Sequence, residues 1–275
     1  MRTLTGVDGC RGGWLAVVES GGCLVGRVAP DWGSLMNRMS AGALVGVDIP
    51  IGVPASGSRQ CDLEARRRLG QPRGSSVFPA PVRGCLREGT HPQLSALHRT
   101  IDGRGLTVQA YHILPKIRQV ERYIAADPKR HRSIFEIHPE ASFALWNGGK
   151  PMQHNKTKSA GRAERERLID AEWPGQRERL WASVRGRGCG RDDLKDAFAA
   201  LWTIGRIAVQ QAVRMPVVRE HDGRGMMLQA GQCVAGAATL LFIFYAGRWI
   251  VTGRVRPLWP LQPKSSGGEN CVPIP

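Results

Sequence analysis

The 275-residue chain is 42% hydrophobic and 23% charged, which excludes a disordered or fibrous polypeptide and allows one large domain or two small ones with a substantial core. Its 39 Lys and Arg against 23 Asp and Glu give a net charge of +16, which attracts anionic partners such as nucleic acid, although 32 of the 39 are Arg and a scattered Arg excess also follows from codon composition. Seven cysteines, odd in number and never in a CxxC pair, fit a reducing cytoplasm and imply no zinc site, and the first residues lack the apolar core of a secretory signal.

Residues 4–8, 14–19 and 23–28 read as three short β runs separated by glycine turns, an antiparallel meander. Asp31 is placed to N-cap a short helix reaching residue 39, and ALVGVD at 43–48 is a fourth strand, apolar until its final acid. A basic, helical insertion occupies about 55–130, with helices at 58–70, 91–101 and 106–126, the last expected to kink at Pro115. RSIFEIHPE at 132–140 is a fifth strand that delivers acids at its end. Two polar helices follow near 158–171 and 176–185, then the strongest helix, 192–213, with Leu194, Phe198, Leu201 and Trp202 at core spacing. Residues 216–230 read as a hairpin closing a domain of residues 1–231. The 15 small and apolar residues 233–247 stop at Arg248, short of the roughly 18–20 of a membrane span. They read as a packed helix or an extension outside that domain; membrane contact through 233–251 is not favoured, and the remaining residues form a Pro-, Gly- and Ser-rich tail.

Three meander strands, a helix, a strand, a helical insertion, another strand and a terminal helix follow the order of the ribonuclease H-like fold. This is an α/β fold with a mixed sheet, the meander plus parallel strands, flanked by helices. That order sets the first and fourth strands side by side and parallel, bringing Asp8 and Asp48 together at their carboxyl ends. Adjacent carboxylates repel unless a proton or cation lies between them, and all-oxygen ligands point to Mg²⁺ or Mn²⁺. Glu136 on the fifth strand is expected to join them, and Asp193 and Asp196, three apart on the last helix, share a face. Such a set suits two-metal phosphodiester hydrolysis, with Asp8, Asp48, Glu136 and Asp196 as ligands and Asp193 in support. Each acid also has an ordinary role: Asp8 and Asp48 as turn formers, Asp192 and Asp193 as helix caps. Asp196, a turn inside the helix beside Ala197 and Phe198, is harder to account for in that way.

The candidate substrate contacts are basic. Lys156, Lys158 and Arg162 in NKTKSAGR, Lys116 in LPKIR and Arg11 in the first glycine turn are placed to grip phosphates, although charge runs are commonly solvated faces. His138 is a candidate general base or orienting group for Glu136, and Cys10, with no His at a telling spacing, reads as buried rather than nucleophilic.

GVDGCRGGW (6–14), VDIPIGVP (47–54), SRQCDLEARRRLG (58–70), SSVFPAPVR (75–83), FEIHPEASF (135–143) and DDLKDAFAALW (192–202) together resemble domain of unknown function family 429, regarded as a predicted nuclease with a ribonuclease H-like fold. The resemblance spans about residues 4–230. It implies Asp8, Asp48, Glu136, Asp193 and Asp196 as acidic-site residues and draws attention to Arg59, Asp62, Arg66, His138 and Glu140, with Arg59 joining the candidate substrate contacts. The acidic pair of the last helix is similar to the DxxDA pattern of Holliday-junction resolvases. The resulting expectation is a cytoplasmic, Mg²⁺- or Mn²⁺-dependent nuclease acting on DNA or RNA without an obligate protein partner. Two alternatives stand beside it: an actin- or sugar-kinase-like phosphotransferase or ATPase, for which no second phosphate loop is found, and a non-catalytic nucleic-acid-binding domain.

Overall fold

The structure is a computed structural model that describes residues 2–215 and three further strand segments near the C-terminus. Alternating apolar residues bounded by glycine turns form the meander: β1 (Leu4–Cys10), β2 (Gly13–Ser20) and β3 (Cys23–Ala29) pair antiparallel, and Gly13, at φ 118°, turns the chain between the first two. β4 (Leu44–Val47) and β5 (Ile134–Glu136) add in parallel, giving the order β3-β2-β1-β4-β5. The expected mixed sheet of meander and parallel strands is therefore present.

The pleat sends alternate residues to opposite faces. Val7, Trp14, Ala16, Val45 and Val47 pack beneath α1 (Trp32–Met36) and α4 (Val108–Ala125) through Trp32, Leu35, Ile117 and Val120. Leu4, Leu15, Val17 and Leu44 pack on the other face against α5 (Pro139–Trp146), α6 (Ser159–Glu172), α7 (Gln176–Val184) and α8 (Arg191–Ala208), which supply Phe143, Ile169, Leu180, Phe198 and Leu201. Each such fully buried side chain contributes roughly 1.5–3 kcal/mol. Asp31 caps α1 as expected, its Oδ1 accepting from the Ser34 amide at 2.8 Å, although the helix ends at Met36. Between β4 and β5 the chain forms α2 (Gln60–Leu69), α3 (His91–Asp102) and α4, which runs on through Pro115.

Three expectations change. The fifth strand is only three residues long, and Pro139 opens α5, a helix that the sequence pattern does not announce. α8 ends at Ala208, short of residue 213, because Gln210 adopts a left-handed φ of 58°. The chain then enters β6 (Ala212–Met215), which pairs with β7 (Cys233–Gly236); β8 (Phe242–Tyr245) and β9 (Arg248–Val251) form a further ladder, so the described parts of 233–251 are strands rather than a packed helix. The closing hairpin expected at 216–230 lies outside the described residues. Among the described residues no helix is long and apolar enough to cross a membrane.

One contact positions everything that follows. Gly6 and Gly46 are register partners on the sheet face beneath α8. A Cβ at Gly6 would lie 2.1 Å from the Ala197 carbonyl oxygen, and one at Gly46 would lie 2.6 Å from Ile204 Cγ1. The two glycines form a bare strip on which the α8 backbone sits directly, and this brings the first turns of α8 over the carboxyl ends of β1 and β4.

Candidate metal centre

Asp8 stands two residues beyond Gly6 and shares its face of β1. Asp48 follows the last residue of β4 and is anchored by its amide, which donates to the Val7 carbonyl at 3.0 Å. Asp196 precedes Ala197, the residue whose carbonyl rests on Gly6. Three carboxylates from distant parts of the chain thus converge, each offering an oxygen within 4.8 Å of the others. Opposed oxygens on one Mg²⁺ at about 2.1 Å are about 4.2 Å apart, so small torsions suffice to close a shell, and the all-oxygen donor set fits Mg²⁺ or Mn²⁺.

The electrostatics agree with the geometry. Burial, then the charges of Asp48 and Asp196, hold the Asp8 carboxyl well above the usual carboxylate range, while its Oδ1 accepts from the Gly9 amide at 2.6 Å. Burial, then Asp196, push Asp48 up to about 8. Lys156 Nζ donates to Asp196 Oδ2 at 2.7 Å, and Asp196 in turn holds the Lys156 ammonium above its ordinary range. One ammonium against three clustered carboxylates leaves a negative centre whose fully ionised form requires more positive charge. Asp193 sits at the edge of this group. Its Oδ2 accepts from the Gly190 amide at 2.7 Å and caps α8, and burial raises its pKa.

Glu136 does not join the three. It is the register partner of Val47, so the pleat turns it to the α1/α4 face, away from the side that Asp8 and Asp48 share. There it receives two bonds from Arg59, Nη1–Oε2 at 2.8 Å and Nη2–Oε1 at 2.7 Å, and the Ile51 amide at 2.8 Å. Arg59 also binds Asp62, at 2.6 and 3.1 Å, and the Gly52 carbonyl. The expected ligand and the expected substrate contact are thus paired with each other inside the protein, where they hold the loop after β4. Cys61, Asp62 and Glu136 form a second group with ligand atoms within 4.8 Å, but Arg59 already pairs with both of its carboxylates.

The remaining candidates divide. Lys116 Nζ donates to the carbonyls of Cys10 at 3.0 Å and Gly13 at 2.6 Å, and lies over the Trp14 ring, so it straps the first turn rather than facing a substrate. Its stem fills the space a Cβ at Gly9 would need, and the Arg187 carbonyl fills that at Gly12, so the glycine turn is not the open phosphate cradle that the phosphotransferase alternative needs. Arg11, Lys158 and Arg162 are exposed, as is Arg66 on α2. Glu140 is buried in a two-pronged pair with Arg165, at 2.5 and 2.8 Å. Burial holds the His138 imidazole near 4, which leaves it neutral and a poor base at neutral pH. Burial pushes the Cys10 thiol up to about 11, in keeping with an unreactive side chain.

Fold and site define an α/β protein in which a mixed five-stranded sheet carries a carboxylate centre, with Asp8 and Asp196 buried and Asp48 half-buried, at the ends of two parallel strands. Residues 6–221 match the family described as Protein of unknown function (DUF429), and the chain belongs to that family. No curated protein and no solved structure matches it.

Proposed function

We propose that the protein is a Mg²⁺- or Mn²⁺-dependent nuclease with Asp8, Asp48 and Asp196 as metal ligands. The observation that carries this proposal is the meeting of those three carboxylates within 4.8 Å. A cation bound there supplies Lewis acidity and a water of lowered pKa. Lys156, on Asp196 at 2.7 Å, orients that carboxylate and presents positive charge beside the centre. Asp193 fixes the start of α8, and the Arg59–Glu136 pair fixes the loop that carries Asp48. The net charge of +16 and the exposed Arg66 and Arg67 favour a polyanionic substrate.

The test is incubation of single-stranded, duplex, hybrid and branched nucleic acids with Mn²⁺ and wild type, Asp8→Asn or Asp196→Asn. Cleavage by wild type that EDTA abolishes, and that falls by at least about 100-fold in both variants, is expected, since even outer partners of metal ligands commonly contribute 10–100-fold. Cleavage unchanged in both variants overturns the assignment.

A further inference from the structure

Beside the acidic centre the surface opens into a pocket of about 290 Å³. Asp48 and Lys156 line it, so the pocket is continuous with the centre. Its lining residues Arg73 and His138 each carry a buried atom, Nε and Nδ1, that has no hydrogen-bond partner among the described residues. An unsatisfied buried polar group is costly, so two in one pocket wall mark that wall as polar rather than packed for stability alone. Phe78, also in the lining, is 50% exposed and is the one aromatic among the exposed large hydrophobic side chains of the described residues. A guanidinium, an ammonium, a half-exposed ring and an adjacent metal centre together match the parts of a nucleotide. The volume lies just under the roughly 300–1,000 Å³ of small-ligand sites, which suits at most one nucleotide and not a stacked base pair. A base held in a duplex reaches such a pocket only by leaving the stack.

We infer that this pocket receives a single unpaired nucleotide next to the phosphate at the acidic centre, its base against Phe78 and its phosphate toward Arg73 and Lys156. The preferred substrate is then single-stranded nucleic acid, or an unpaired segment within a duplex. The inference rests on the proposed nuclease for the meaning of that phosphate, but binding tests it without any cleavage.

The experiment measures fluorescence anisotropy of a labelled single-stranded oligonucleotide, its blunt duplex and an abasic strand of equal length. It uses the full chain with Ca²⁺ at about 0.15 M ionic strength, so that long-range charge attraction is screened equally. Wild type is expected to bind the single strand at least tenfold more tightly than the duplex, a margin within the range that one base–aromatic stack supplies. Phe78→Ala is expected to weaken single-strand binding by about 5- to 150-fold while leaving the duplex and the abasic strand within twofold. Arg73→Gln is expected to weaken the single strand and the abasic strand alike. Phe78 is exposed, so an unchanged melting temperature of its variant is expected and checks that folding is intact. Equal affinity for single strand and duplex, or single-strand binding indifferent to Phe78→Ala, overturns the inference. Should that occur while Asp8-dependent cleavage persists, the nuclease stands and only the pocket assignment falls. Stacking-dependent binding without cleavage upholds the pocket and removes the nuclease.

Discussion

Asp48→Asn is expected to stabilise the metal-free protein while removing a metal ligand. The Asp48 carboxylate lies within 4.8 Å of those of Asp8 and Asp196. Two unit charges at that separation repel by about 3.5 kcal/mol at an effective dielectric of about 20, and Lys156 on Asp196 offsets part of this. Burial, the larger cause, and this repulsion both favour the protonated carboxyl. Asp48 titrates near 8 in the folded chain against 3.8 ordinarily, so between those values the folded state holds a proton that the unfolded state has released. A carboxyl with a raised folded pKa costs nothing below the unfolded value, and its destabilisation grows as pH rises toward the folded value. The neutral amide escapes this. Its gain is expected to be close to zero at about pH 4 and about 1–3 kcal/mol at about pH 8, with each kcal/mol worth roughly 2–4 °C in a chain of this size. Thermal melts by circular dichroism with EDTA at the two pH values measure it. Mg²⁺ or Mn²⁺ should then raise the melting temperature of wild type at the higher pH far more than that of the variant. An Asp48→Asn protein that melts lower at about pH 8, or gains equally at both pH values, refutes the reasoning from clustered charge.

Three other perturbations follow from the same geometry. Arg59→Met leaves Glu136 and Asp62 buried without their partner and is expected to cost about 3–5 kcal/mol in urea unfolding; a loss below about 1 kcal/mol contradicts the structural role of the pair. Gly6→Ala drives a methyl to 2.1 Å from the Ala197 carbonyl and is expected to cost at least about 1–3 kcal/mol and to weaken Mn²⁺ binding by displacing Asp196; unchanged stability and affinity contradict the seating of α8 on the sheet. Lys156→Met removes a positive charge beside the carboxylates and is expected to tighten Mn²⁺ binding roughly tenfold by calorimetry while weakening nucleic-acid binding; weaker Mn²⁺ binding contradicts its place as a competing counter-ion.

The meander and β4 were legible because each is an apolar or alternating run closed by glycines, and their order in the chain then made β1 and β4 neighbours. Asp8, Asp48 and Asp196 were legible for a related reason: two lie at strand ends, and the third lies inside a helix where no cap explains it. Glu136 was misassigned because its face depends on the parity of a three-residue strand, IFE, whose Ile134 and Phe135 pack on opposite sides, so the sequence carries no alternation to read. Lys156 and Lys158 stand two apart in one polar stretch, and only the tertiary placement of the loop before α6 makes one a counter-ion and leaves the other exposed. α5 was hidden because PEASFALW is buried nearly all round and has no amphipathic period. The early end of α8 was masked by apolar residues that continue past it, Val209 and Val213 among them; the break comes from the backbone at Gln210.

The acidic centre is tested most directly by titrating Mn²⁺ into the metal-free protein near pH 8 and following free Mn²⁺ by electron paramagnetic resonance. Wild type is expected to take up Mn²⁺ and release protons as it does so, because burial and mutual repulsion raise the pKa values of Asp8 and Asp48, the latter to about 8, and a bound cation displaces protons from such carboxyls. Asp8→Asn, Asp48→Asn and Asp196→Asn are each expected to lose that uptake. Equal Mn²⁺ uptake by wild type and all three variants would contradict a metal centre at these carboxylates.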